Sequence, residues 1–264
     1  MVTTRLSIVA FAALVAASIA AFFVTQHLKV TTPLIQGFPR PVPGVIDPLH
    51  GVPCGQFTSG STLISFYLQH RSDVADVYVV DSEGEVVRTV ATDRRMRKGV
   101  RNPDGVFRWN GRLSDGRVAP DGTYHFRVAL LHQDRGIDLT DVPVRVKTVP
   151  PHPVITSVTP SVISPANGST KVTIRYTGNE GRGGTILLYR LDAAGHARLI
   201  KTFLTPWKGQ TAVWDGTVSQ QRPAPPGTYL LALEVSDAAC NTGRYPARIP
   251  PPAGAAAKDV VTVR

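Results

Sequence analysis

One sixteen-residue phrase occurs twice in this chain: residues 109–124 read WNGRLSDGRVAPDGTY and residues 214–229 read WDGTVSQQRPAPPGTY. A duplication of this kind restricts the chain to architectures that use one structural unit in two copies. The repeat is longer than the phrase. After it, Tyr124, Phe126, Val128 and Leu130 alternate on one face of a strand, and Tyr229, Leu231, Leu233 and Val235 do so in the same phase. Upstream, Ile64, Phe66 and Leu68 match Val172, Ile174 and Tyr176, behind Gly60-Ser61-Thr62 and Gly168-Ser169-Thr170. Residues 77–84 and 188–195 each run into a tight Asp/Gly turn, residues 86–90 and 199–203 return from it, and residues 144–147 match 261–264. About seven short strands per copy, with 23 glycines and 22 prolines between them, predict an all-β chain of two tandem immunoglobulin-like β-sandwiches.

Within that architecture the phrase marks a structural corner. Trp109 and Trp214 end a strand with a ring large enough to fill the space between two sheets. Gly111 and Gly216 make the following turn, Gly122 and Gly227 permit the bend into the next strand, and Tyr124 and Tyr229 begin it. The placement predicts a tyrosine corner, with the ring buried and the hydroxyl bonded back to the chain. These eight residues are expected to define the fold. His125, on the opposite face, is expected to point to solvent.

Residues 6–24 carry no charge, follow Arg5 and precede the polar stretch TQHLK, so residues 1–30 are expected to form a membrane anchor or signal segment, with a retained single-pass transmembrane helix favoured over cleavage. The bulk of the chain is then extracytoplasmic, or secreted if the segment is cleaved. Residues 31–56, rich in proline and glycine, are expected to be a poorly structured spacer, followed by module 1 at 57–148, a proline linker at 149–153 and module 2 at 154–264. Cys54 and Cys240 have oxidising surroundings in such a location, but a spacer would put Cys54 at the far pole of module 1. An extended tandem then holds the two cysteines tens of ångströms apart, which favours unpaired thiols or pairing between chains.

The pattern W-[ND]-G, a polar loop and P-x-G-T-Y resembles the FlgD-like immunoglobulin-fold family, named for the flagellar hook-capping protein. The stretch 163–168, ISPANG, and the 191–195 turn, LDAAG, add to the likeness. The layout with an N-terminal anchor resembles actinobacterial surface proteins. The family implies an extracytoplasmic β-sandwich used as a spacer, docking surface or accessory module, with no catalytic residues. The membrane anchor and the lack of a hook-assembly segment are departures from the hook cap, and they count against a flagellar role.

The remaining candidate chemistry is sparse. Arg94, Arg95, Arg97, Lys98 and Arg101 crowd into eight residues, expected to be a module 1 loop, within a chain of net charge +10. They are the candidate contact to an anionic surface, although a solvated basic loop is the blander expectation. No aromatic residues interleave with them, which argues against nucleic acid. The glycine-rich stretch 178–185 lacks a phosphate-loop ending and is expected to be a mobile loop. There is no Gly-x-Ser-x-Gly or His-Glu-x-x-His pattern and no Cys/His cluster, so no enzyme activity, metal or cofactor is expected. The expected function is a non-enzymatic stalk or docking scaffold in the cell envelope, with an envelope protein or cell-wall polymer as partner. A carbohydrate-binding accessory role, using Tyr67 and Trp207 as exposed rings, and a hook-assembly scaffold are the alternatives.

Overall fold

The computed structural model describes residues 11, 13–24, 34–37, 39–165, 171–180, 182–219, 222–251 and 258–264. Residues 6–10 of the apolar run, the Gly168-Ser169-Thr170 copy and most of the Pro/Ala-rich stretch before 258 lie outside the described residues. Residues 13–24 are helical. Among the described residues, no helix is long and apolar enough to cross a membrane.

Module 1 contains β1 (Val45–Ile46), β2 (Pro53–Cys54), β3 (Phe57–Thr58), β4 (Thr62–Ser65), β5 (Asp73–Val80), β6 (Val86–Met96), β7 (Val106–Trp109), β8 (Gly122–Leu130), β9 (Arg135–Asp138) and β10 (Val144–Val146). One sheet has the order β1-β10-β8-β5-β6, with β9 on the same side of β8 as β10; β4 and β7 form the facing sheet. Alternation seals the space between them. Val77 and Val79 from β5, Phe126 and Val128 from β8, and Ile64, Phe107 and Trp109 from the facing sheet are all at least 97% buried. Each such aliphatic or aromatic side chain contributes roughly 1.5–3 kcal/mol by leaving water.

Module 2 repeats the plan with β11 (Val154–Thr159), β12 (Val162–Ile163), β13 (Val172–Thr177), β14 (Gly184–Leu191), β15 (Ala197–Leu204), β16 (Thr211–Trp214), β17 (Thr217–Ser219), β18 (Arg222–Pro223), β19 (Gly227–Ser236), β20 (Thr242–Tyr245) and β21 (Val260–Val263). Its larger sheet runs β12-β21-β19-β14-β15 with β20 beside β19, opposite β11-β13-β16. The correspondence reaches the details. In both modules the last strand is split in two along one partner, and a two-residue strand pairs parallel to its second half: β1 with β10, β12 with β21.

The described part of 31–56, residues 34–37 and 39–56, is not a spacer. Gln36 pairs with Tyr67 and Val42 with Leu63, after which β1 pairs with β10; Ile35 and Ile46 are part of the module 1 core. The chain therefore enters module 1 at one pole, runs its length and reaches the other pole at the β2-β3 hairpin. A pairing of two or three residues interrupted by prolines leaves no alternation to read, which is why composition suggested a linker. The basic stretch also differs from expectation, because Arg94 and Arg95 lie in β6, paired with Ala75 and Val74. As an edge strand in which Met96 is the one buried residue, β6 tolerates the charge that made it look like a loop.

Candidate functional site

Three regions bring the sequence-singled residues together. At the repeated corners, Trp109 and Trp214 are each 1% exposed, and their indole N–H groups donate to the carbonyls of Arg112 and Thr217 at 2.9 Å. The Tyr124 and Tyr229 hydroxyls donate to Pro120 O at 2.9 Å and Pro225 O at 2.8 Å, four residues upstream. Each Trp packs on its Tyr, with ring centroids 5.2 Å apart in module 1 and 5.5 Å in module 2. Burial pushes both phenols above their usual range. Gly111 and Gly216 turn the chain in the left-handed region, at φ +67° and +73°, and a Cβ on Gly111 would also strike Pro48. Gly122 and Gly227 open β8 and β19. His125, across the strand, is half-buried.

The second region is the junction between modules. Cys54 and Cys240 form a disulfide, with Cα atoms 5.6 Å apart. This overturns the expectation of separated thiols. The β2-β3 hairpin brings Cys54 to the pole of module 1 that faces module 2, and the 237–241 turn presents Cys240 from the other side. Around the disulfide, Asn241 donates to Lys147 O at 2.9 Å, and Lys147 pairs with both Glu180 and the buried Asp237. Asp237 also accepts from the backbone N–H groups of Ala239 and Asn241, closing the turn that carries Cys240. The stretch 178–185 belongs here rather than to a free loop. Asn179, 3% exposed, donates to Arg182 O and Gly209 O, and Gly178 lies against the linker at His152. Sequence reasoning missed Lys147, Asn179, Asp237 and Asn241; the Asp-x-x-Cys-Asn spacing of an Asx turn was the signal available.

The third region is the opposite pole of module 1, which gathers the basic residues. Arg94 donates to Asp104 O at 3.1 Å and Pro103 O at 2.7 Å, while Arg97 makes a forked pair with Asp104 at 2.8 and 2.9 Å. The Arg97 guanidinium, helped by the Arg97 backbone N–H, holds the Asp104 carboxyl down to about 2. Arg101 lies over the Tyr67 ring, 5.4 Å from its centroid. Tyr67 is half-buried, with Arg101 over one face of its ring. Among the described residues, no hydrogen bond or ion pair engages the side chains of Arg95 or Lys98, and both are exposed.

Elsewhere Trp207 is 65% exposed, with Arg182 over its ring at 5.4 Å. A groove of about 530 Å³ lies on the β14-β15 hairpin, lined by Arg190, Asp192, His196 and Arg198, with His196 already paired to Asp192 at 2.9 Å. Among the described residues no three His, Cys, Asp or Glu side chains come together to hold a metal ion.

Comparison with known proteins follows the same outline. The basal-body rod modification protein FlgD of Salmonella typhimurium and that of Salmonella typhi are each 29% identical over 121 residues, which is 46% of this chain and 48% of theirs. The chain thus spans about half the length of these relatives. Among solved structures, a mutant Salmonella alpha-2-macroglobulin is 16% identical with a TM-score of 0.30, covering 80% of this chain and 14% of that one. Latent PorU from Porphyromonas gingivalis is 13% identical with a TM-score of 0.30, covering 77% and 18%. Neither superposition is close enough to carry a conclusion. The family model that matches is the FlgD Ig-like domain, over residues 55–134, a span that takes in the first corner and the basic pole. Residues 55–134 of module 1 are thus similar to the FlgD Ig-like domain.

Proposed function

We propose that this chain is a non-enzymatic scaffold of the cell envelope, tethered by its apolar N-terminal segment and presenting two sandwiches, head to tail, as a stalk and docking element. The observation that carries this reading is the cross-tied junction. A disulfide, the Lys147 ion pairs and the Asn241 hydrogen bond fix one module against the other, where a flexible tandem would need only the linker. A fixed spacing between two ends is the property a stalk requires. The two cores are filled by large side chains, so the surface on offer is loops and strand edges, which suit protein docking. The likeness to basal-body rod modification proteins agrees with a role in assembling larger structures and is the sole support for a hook-assembly version of it.

The tether is read from the uncharged run at 6–24 and tested by fractionation. The full chain should stay with membranes through a high-salt wash, and the chain lacking residues 1–30 should appear in the soluble fraction; its retention in the membrane overturns the tether. A second reading, binding of an envelope polymer, rests on the exposed Trp207 ring beside Arg182. Sugars stack on such rings. Trp207→Ala should then abolish co-sedimentation with isolated cell wall at high salt, where mere attraction between charges is screened.

A further inference from the structure

We infer that the basic pole of module 1 seats on an anionic lipid surface. The inference rests on the reading that the apolar N-terminal segment holds the chain at a bilayer, and it concerns what that placement does to the first folded surface the chain reaches.

Geometry puts the pole next to the tether. The chain enters module 1 here, where Gln36 exchanges hydrogen bonds with Tyr67 at 2.9 and 3.0 Å and Gly37 lies against the Arg101 guanidinium. The described helical residues reach 24 and the described chain resumes at 34. Even fully extended, that interval spans no more than roughly 35 Å. The other pole of module 1 is covered by module 2, so this one is the end free to meet a surface close to the anchor.

Charge and shape fit a sheet of phosphate headgroups. Arg71, Arg95, Lys98 and Arg101 are exposed at this pole, from the 69–72 turn, the end of β6 and the loop after it. The acidic groups here are Asp73, Asp93, Asp104 and Asp134. Asp73 is buried and accepts from Gln133 and from the backbone of His132 and Val74, and Asp104 is held by Arg97, which leaves Asp93, two residues from Arg95 along β6, and Asp134 as exposed carboxylates against four exposed cations. Leu131, 44% exposed, projects from the short turn between β8 and β9 and adds an apolar contact of the kind that enters the headgroup layer. The loops are braced as well. The Lys98 backbone N–H donates to Ser72 Oγ at 2.9 Å, Leu68 bridges to Lys98, and Arg94 ties β6 to Pro103 and Asp104. The cations thus form a fixed surface, and tethering keeps that surface at high effective concentration near the headgroups, within reach of a Debye length of about 10 Å.

The test uses the full chain reconstituted into phosphatidylcholine vesicles with and without phosphatidylglycerol, and reads amide hydrogen exchange peptide by peptide. At low salt, phosphatidylglycerol should slow exchange several-fold in peptides covering 67–72, 97–105 and 131–135, and leave the 192–196 hairpin unchanged. High salt should remove the difference. The double variant Arg95→Glu with Lys98→Glu, whose side chains make no hydrogen bond or ion pair among the described residues, should lose it while exchange at the repeated corners stays native. Equal exchange in both kinds of vesicle overturns the proposal, as does protection by soluble polyphosphate without protection by the vesicles, which would favour a polymer partner. Flotation with either vesicle at high salt reports the tether separately, so a failed anchor and a failed pole give different results.

Discussion

Tyr124 and Tyr229 each direct one hydroxyl at a proline carbonyl within the same turn, and each Trp lies against its Tyr with its indole N–H satisfied by the turn that follows. Removing a hydroxyl loses this hydrogen bond, so Tyr124→Phe or Tyr229→Phe should lower stability to denaturant by about 1 kcal/mol. Truncating the ring beneath is far more damaging, and Trp109→Ala or Trp214→Ala should cost about 4 kcal/mol through the cavity left between the sheets. Urea titrations of the oxidised protein measure both. Asp104 supplies a pH prediction. Its folded pKa, about 2, lies below the ordinary value of 3.8, so the stability it adds is present above pH 3.8 and lost as pH falls toward 2. The 97–105 loop should therefore exchange its amides faster across that interval while the corners do not, and Asp104→Asn should remove the pH dependence from this loop. At this scale the sequence was highly legible, because Trp, Gly and Tyr in fixed order leave few alternatives. The partners of Arg94, Arg97 and Arg101 were not, because each bonds to a group that only the folded loop brings near.

The strands were legible where one face is buried and the other wet, as in β8 and β13, since alternation then mirrors the pleat. They were illegible where that condition fails. The edge strand β6 mixes exposed and half-buried residues without a regular alternation, and β1 is two residues long. The linker belongs to the same class. Residues 149–153 read as a plain proline boundary, yet they lie against module 2 at two glycines where a Cβ would collide with the linker carbonyls, Gly178 with His152 O at 2.0 Å and Gly243 with Pro151 O at 1.8 Å. Gly243→Ala should therefore push the linker off module 2, with a loss of about 2 kcal/mol and faster exchange in the 147–153 peptide. A wild-type exchange pattern in that peptide would show that the linker is free to give way.

At the scale of the molecule, the cysteine pair depended on knowing the path of residues 34–59. A reading that places them outside module 1 separates the thiols by the length of a sandwich, whereas their route along β10 brings Cys54 to the junction. The disulfide holds the two modules in one relation, and reduction, or Cys54→Ser with Cys240→Ser, should broaden the distance distribution seen by small-angle X-ray scattering without altering either core. A distribution unchanged on reduction would mean that the polar contacts at Lys147 and Asn241 suffice alone.

The same bond reroutes mechanical load. Tension applied between residues 1 and 264 travels along the backbone to Cys54, crosses to Cys240 and continues to the end, bypassing residues 55–239. Both repeated corners lie inside that bypassed span. Fully drawn out, the oxidised chain reaches roughly 280 Å, against roughly 900 Å once the bond is reduced, at about 3.5 Å per residue. Nearly all of module 1, and module 2 up to its last two strands, would keep their shape under forces that peel away the remainder, so the pair behaves as a tether with a built-in stop.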